Sequence, residues 1–350
     1  MVDILTVNIQ GNFDLPIHSA TLDYICDINP ELEWKVRGIN GINTKNKQEK
    51  EKLKSQRKEM EDFIQTSQGR QELNSFLKES RKVFLNLLSE NKLWVKNYLD
   101  NQKFIFIIGA MRTAGTYLYT EMSKILDINW KSLNRKMSHD SIPTYGNLMR
   151  WNNPNTWLSL LFEFSQFLVW SKRKCINQKA IIQKRIAYGH ALKFLDDLFG
   201  NKAEYIITVR HPGAIARYFK EVENINMRNN FEPPLWKDLA KKKEISRNQW
   251  RALDYNQRTL IYWEIYYEEI AKYGLPEGDI HILGYGKEEY EKFLRKFAQK
   301  NDREYQPDDF RITERNYGEF WFSDQVNEVI EQVNLWWKIH GFEFPELELK

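Results

Sequence analysis

The stretch from Phe104 to Leu118 constrains the fold of this chain more than any other. Five apolar residues, Phe104 to Ile108, run without interruption into Gly109, the pattern of a short strand buried on both faces. Thr113, Ala114, Gly115 and Thr116 follow, all small or hydroxylated, and beyond Tyr117 the residues Leu118, Met122 and Ile125 recur at helical spacing. The segment therefore reads as strand, small-residue turn and helix start, with first-turn amides available to an anion. Turns of this kind occur throughout parallel α/β sheets and most bind nothing, so this stretch alone leaves its function open.

Other short apolar runs repeat the theme. Ala180 to Ile182, closed by Lys184, reads as a second strand, Glu204 to Val209 as a third and His281 to Leu283 as a fourth. Helical periodicity falls between and after them, over 189–199, 254–273 and 290–297. Strands that alternate with helices predict a parallel α/β sheet. Toward the N-terminus, Leu5 to Ile9 suits a short strand. Apolar residues at spacings of three and four then predict two or three amphipathic helices over 46–99, one opening with a dense mixed-charge run from Lys45 to Glu61. Their apolar faces require a partner, either the sheet domain or a second copy. The aromatic segment Trp157 to Trp170 is expected to be a helix on the core. At 350 residues the chain can form a mostly helical extension, 1–99, and an α/β domain, 100–350.

Composition narrows the function. The net charge is +4 with 29% charged residues, which argues against a general nucleic-acid binder and leaves any basic site local. Cys26 and Cys175 lie far apart without a CxxC pattern, which fits a reducing compartment, and no basic-then-apolar leader opens the chain, so a cytoplasmic location is expected. The stretch Trp157 to Trp170 is interrupted by Ser159, Glu163, Ser165 and Gln166 and is too short to span a bilayer, so no membrane is expected. HxxxH, HExxH and GxSxG patterns are absent, and no metal is expected.

The turn after Gly109 is not a nucleoside-triphosphatase loop: Ala114 stands at the second glycine position and Gly115 at the lysine position, with the cation at Arg112 instead. Met111-Arg112-Thr113-Ala114-Gly115-Thr116 resembles the 5′-phosphosulfate loop of sulfotransferases that use 3′-phosphoadenosine 5′-phosphosulfate (PAPS). That loop commonly reads Pro-Arg/Lys-Ser/Thr-Gly-Thr-Thr, so Arg112, Thr113 and Thr116 match while Met111, Ala114 and Gly115 depart. Three further stretches line up in the same order. Tyr205 to Tyr218 resembles the family's strand-Arg-Asn/Asp-Pro-helix, with Arg210 and Pro212 matching and Tyr218 in place of a serine. Lys184 to Phe199 resembles the stretch before that strand, with Ile186 and Gly200 replacing prolines. Glu314 to Trp321 resembles the late loop that closes over the donor. The resemblance spans roughly 100–340 and implies a P-loop-like parallel sheet flanked by helices.

It also implies roles. The donor is PAPS and the acceptor a hydroxyl or amine of a small molecule, in a natural-product tailoring role, with no metal. The oligomeric state stays open, a homodimer included. Arg112, Thr113, Ala114, Gly115, Thr116 and Tyr117 correspond to the 5′ side of the donor site, Arg210, Tyr218 and Arg315 to its 3′-phosphate side and cover, and Lys184 to the cation facing the transferred sulfonate. The acceptor proton needs a base. His139 matches one family position and is our first choice, with His190, Tyr188 and Glu163 as alternatives; His211 reads as structural. Two rival functions stay open: a kinase-like nucleotide enzyme, against which Val209 leading to Arg210 rather than to an acid counts, and a non-catalytic binding protein, which Met111, Ala114 and Tyr218 would suit.

Overall fold

The computed structural model describes residues 6–9, 13–17, 19–32, 47–99, 102–110, 113–128, 154–175, 180–184, 189, 191–216, 236–272, 274–276, 278–306 and 318–347. In chain order the elements are β1 (Thr6–Ile9), β2 (Phe13–Pro16), α1 (Ser19–Ile28), α2 (Lys47–Gln65), α3 (Ser67–Leu88), α4 (Lys92–Tyr98), β3 (Phe104–Gly109), α5 (Gly115–Ile125), α6 (Pro154–Lys174), β4 (Ile181–Lys184), α7 (Leu192–Phe199), β5 (Ala203–Val209), α8 (Trp236–Lys242), α9 (Arg247–Ala252), α10 (Tyr255–Ala271), β6 (Asp279–Gly284), α11 (Lys287–Lys300) and α12 (Asp324–Ile339). Residues 212–216 add a helical segment directly after β5. The chain forms two compact units, one of residues 1–102 with 129–181 and one of 103–128 with 182–350.

In the first unit α6 is the central helix. Residues 161–171 are buried on every face, so Glu163, Ser165, Gln166 and Ser171 are enclosed along with the apolar side chains. Against it lies α3, whose Phe84 meets Phe162 edge to face with centroids 5.7 Å apart. Polar groups inside the packing are matched: the Thr21 hydroxyl donates to Gln166 (2.6 Å), and Trp170 Nε1 donates to Asp23 (2.8 Å), which also accepts from Lys174 (2.9 Å). The sequence predicts 157–170 as a helix on the sheet domain and an extension ending at residue 99; α6 instead groups with the N-terminal helices, because the apolar faces of α3 and α6 satisfy each other. The two or three amphipathic helices expected over 46–99 are three, α2, α3 and α4, while β1 pairs with β2 as an antiparallel hairpin.

The second unit is α/β. Its four-stranded parallel sheet has the order β4-β3-β5-β6, flanked by helices. Phe104 through Ile108 and Ala203 through Val209 are buried throughout, which accounts for their largely apolar sequences, since strands covered on both faces have no solvent side to present. The register pairs Gly109 with Thr208 and Val209 with Gly284, so β3, β5 and β6 finish level.

At the opposite, amino-terminal edge of this sheet sits Glu204, 1% exposed. Lys103 Nζ reaches it at 2.7 Å, His281 Nε2 at 3.1 Å and Lys300 Nζ at 3.5 Å. Burial works against its ionised form, but the hydrogen bonds of His281 and Lys103 and the charges of Lys103 and Lys300 outweigh that and bring the carboxyl down to about 2. A folded-state value below the unfolded one stabilises the fold above the unfolded value and loses that contribution as pH falls through the folded value. Glu204→Gln should therefore be less stable than wild type near neutrality, and the gap in urea midpoint should close as pH drops from about 4.5 to about 2. A gap that widens in that window would show that Glu204 is not held ionised.

Candidate functional site

From β3 the chain passes to β4 on one side and then to β5 on the other. The strand order therefore reverses between β3 and β5, and in open parallel sheets the crevice outside the carboxyl ends at such a reversal is where ligands bind. Both motif-bearing turns, the one after Gly109 and the one beginning at Arg210, leave this edge from neighbouring strands.

Gly109 makes their close approach possible. A Cβ there would fall on Thr208 Oγ1 and lie 2.6 Å from Thr113 Oγ1, atoms that need the space for each other. The two hydroxyls are 2.6 Å apart, with Ala110 O 3.0 Å from Thr113 Oγ1 and Ile108 O 3.2 Å from Thr208 Oγ1. Thr113 is buried, so its hydroxyl serves the turn rather than facing outward. Two phenols complete the joint. Tyr267 donates to Thr208 O (2.8 Å) and accepts from Ala110 N (3.4 Å), and Tyr290 donates to Thr113 O (2.8 Å). Burial pushes both phenols up, so each keeps its proton and its donor role.

The helix after the first turn starts at Gly115. Ala114 occupies its N-cap position in the left-handed region (φ 55°, ψ 21°) and makes no side-chain cap, which leaves the first-turn amides of α5 uncapped by that side chain. Alongside runs Lys184 from the end of β4. A Cβ on Gly115 would sit 3.3 Å from Lys184 Cε and 3.4 Å from its Cγ, so the lysine stem lies directly over the helix start. An ammonium and a helix N-terminus brought together attract negative charge by the same sign of potential. Thr116 and Tyr117, in the first turn, are partly exposed.

At the second turn, the Arg210 guanidinium lies over the Tyr285 ring, 3.7 Å from its centroid. Tyr285 N donates to Val209 O (2.8 Å) and Trp263 Nε1 donates to Arg210 O (2.8 Å), so both faces of the turn are held. His211 is buried, accepts from Gly213 N through Nδ1 (3.1 Å), and is lowered by burial to about 4. It is a neutral acceptor that closes the turn, the structural part expected for it. Trp321 packs on the following helical segment, where a Cβ at Gly213 would meet its Cγ at 2.8 Å.

Of the residues singled out by sequence, Thr113, Ala114, Gly115, Thr116, Tyr117, Lys184 and Arg210 are placed at this one edge. Glu163 is buried in α6, in the other unit. Arg112, His139, Tyr188, His190, Tyr218 and Arg315 lie outside the described residues. Sequence reasoning passed over Tyr267, Tyr285 and Tyr290, which hold the turns from α10, the end of β6 and α11. A groove of about 480 Å³ along β6, lined by Leu275, Ile280, Ile282 and Phe344 among others, includes none of these residues. Comparison of the chain with protein-family models, curated proteins and solved structures finds no match.

Left-handed backbone costs a non-glycine residue roughly 1 kcal/mol. Ala114→Gly should therefore raise stability by about 1 kcal/mol in urea unfolding; a loss of stability would rule out the positive φ at this position.

Proposed function

We propose that this protein is a sulfotransferase that moves the sulfuryl group of PAPS to a hydroxyl or amine of a small molecule. One observation carries the reading. Lys184 and the N-terminus of α5 on one side, and Arg210 on the other, stand at the carboxyl edge of adjacent strands across the point where strand order reverses. A nucleotide with phosphate at both its 3′ and 5′ positions needs two anion sites spaced by one nucleoside, and neighbouring strand ends offer them. The Gly115 position supports the fit, because a side chain there would displace the Lys184 stem.

In this reading the amides of α5 and Thr116 hold the 5′-phosphosulfate together with Arg112, and Arg210, kept flat by Tyr285, takes the 3′-phosphate beside Tyr218. Tyr117 stacks on the adenine, and Arg315 covers the donor. When bound, the donor supplies an electrophilic sulfuryl group. Lys184 places positive charge where the sulfonate oxygens gather it, and fixed cations and N–H groups at such a position are the main source of rate enhancement in transfers of this kind. His139 accepts the acceptor's proton. A soluble small molecule suits the acceptor role, and a cytoplasmic setting follows from the same reading. For comparison, a kinase would need an acid to hold magnesium after β5, where the chain has Arg210.

The test is calorimetric titration with 3′-phosphoadenosine 5′-phosphate, with and without magnesium. Micromolar binding that does not need the metal, weakened at least tenfold in Arg210→Ala, is expected. Metal-dependent binding of ATP in preference to the bisphosphate would replace this reading with the kinase. In turnover assays, Arg112→Ala and Lys184→Ala should each lower kcat by roughly a hundredfold or more, the scale of one lost preorganised stabiliser. Bisphosphate binding without any sulfuryl transfer across a panel of phenols, alcohols and amines would instead leave a binding protein.

A further inference from the structure

We propose that the corner where α3 meets α4, in the N-terminal unit, binds anionic membrane surfaces. Leu85, Leu88 and Leu93 are 55, 46 and 71% exposed, all within nine residues of chain at the tip of one helical hairpin. Isolated exposed leucines are ordinary, but three gathered at one tip are not. On α3 the exposed face reads Lys78, Arg81, Lys82, Leu85 and Leu88 at spacings of three, one, three and three, so the basic and apolar residues share one side of the helix. Its opposite side, Leu73, Phe76, Leu77, Ser80 and Val83, is buried, which fixes which side faces out.

The neighbouring carboxylates do not neutralise this face. Glu79 accepts from Tyr98 (2.7 Å) and is paired with Arg173 (2.7 Å), leaving Glu90 as the other acid between 78 and 93. An aromatic rim adjoins the patch: Trp94 stacks on Tyr98 with centroids 5.1 Å apart, and Lys82 Nζ stands 5.4 Å above the Trp94 ring. Leucines, flanking cations and an amphipathic aromatic pair are the components of an interfacial contact.

Charge selects the occupant. A second copy docked on the same face would gather Lys78, Arg81 and Lys82 of both copies into one interface with Glu90 as the one exposed acid between residues 78 and 93, and crowded like charges are unfavourable. A helix from a partner protein needs a continuous apolar groove, whereas these leucines are set among basic side chains. A fluid anionic surface accepts them as they stand, with the leucines entering the acyl boundary and the cations meeting the headgroups. The absence of a bilayer-spanning helix among the described residues concerns insertion only and is compatible with surface binding.

The full chain should co-sediment with vesicles of mixed phosphatidylcholine and phosphatidylserine and stay in solution with vesicles of phosphatidylcholine alone. Raising salt should release it, since each cation near such a surface contributes a factor of roughly five in binding. Arg81→Glu and Leu88→Asp should each weaken sedimentation at least fivefold while leaving far-ultraviolet circular dichroism unchanged, because both positions are exposed. The salt dependence of the unaltered chain tests the same point without any variant. Absence of sedimentation, equal binding to neutral vesicles, or a dimer in solution that Leu88→Asp dissociates would each overturn the proposal, as would binding that salt does not weaken.

Discussion

The parallel contact between the carboxyl ends of β3 and β5 is the constraint on which the second unit depends. It requires Gly109, because the Thr113 and Thr208 hydroxyls fill the space that a side chain at residue 109 would need. With that space kept, the turn after β3 is drawn over the end of β5, and α5 begins where Lys184 can cross it. The position of the helix start is thus set by a contact between strands.

Neutral donors rather than charges secure this joint. Tyr267 and Tyr290 are fully buried and remain protonated, and His211 is held neutral by the same loss of solvent. An ionised group in any of these three places would demand a buried counter-charge. The chain confines its cations to the rim instead, at Lys184 and Arg210, both of which keep partial access to solvent. At the other end of the sheet, a buried carboxylate with three cationic or protonatable neighbours serves stability. Structural and candidate functional electrostatics are therefore separated along the strand direction.

Much of this was legible in the sequence, and the reason is geometric. A strand buried on both faces leaves little freedom to place polar residues, so β3 stands out as an uninterrupted apolar run and β5 as a run broken only by Glu204 and Thr208, each with buried partners. Strand ends are equally visible, because the cation or glycine that closes each run marks the edge, which is how Gly109, Lys184 and Arg210 were found. What could not be read was which apolar face meets which. α6 and α3 lie far apart in sequence, and nothing local says that Phe162 packs on Phe84. Tyr267 and Tyr290 of the joint were hidden for the same reason, since aromatic residues on α10 and α11 look alike whether they fill a core or tie a turn. The short helices α8 and α9 are not legible in sequence because, at seven and six residues, they carry too few apolar positions to show a helical period.

The departures of the first turn from the sulfotransferase pattern acquire a physical meaning from Ala114. It adopts a left-handed conformation that glycine would take without cost, so the path of the backbone there is not set by the residue's own preference. The path is imposed by tertiary contacts: Tyr290 on Thr113 O, Thr113 on Thr208 and Ala110, and the requirement that α5 start beside Lys184. Strain of this kind persists only where surrounding structure over-determines it, and it gathers at sites whose geometry matters. An unconstrained connection could relax to an ordinary helix cap; this one holds a left-handed Ala114 that makes no side-chain cap at the start of α5. The substitution of alanine for glycine therefore weighs less against an anion site than the sequence alone suggests, because the shape of the turn survives the change in the residue that forms it.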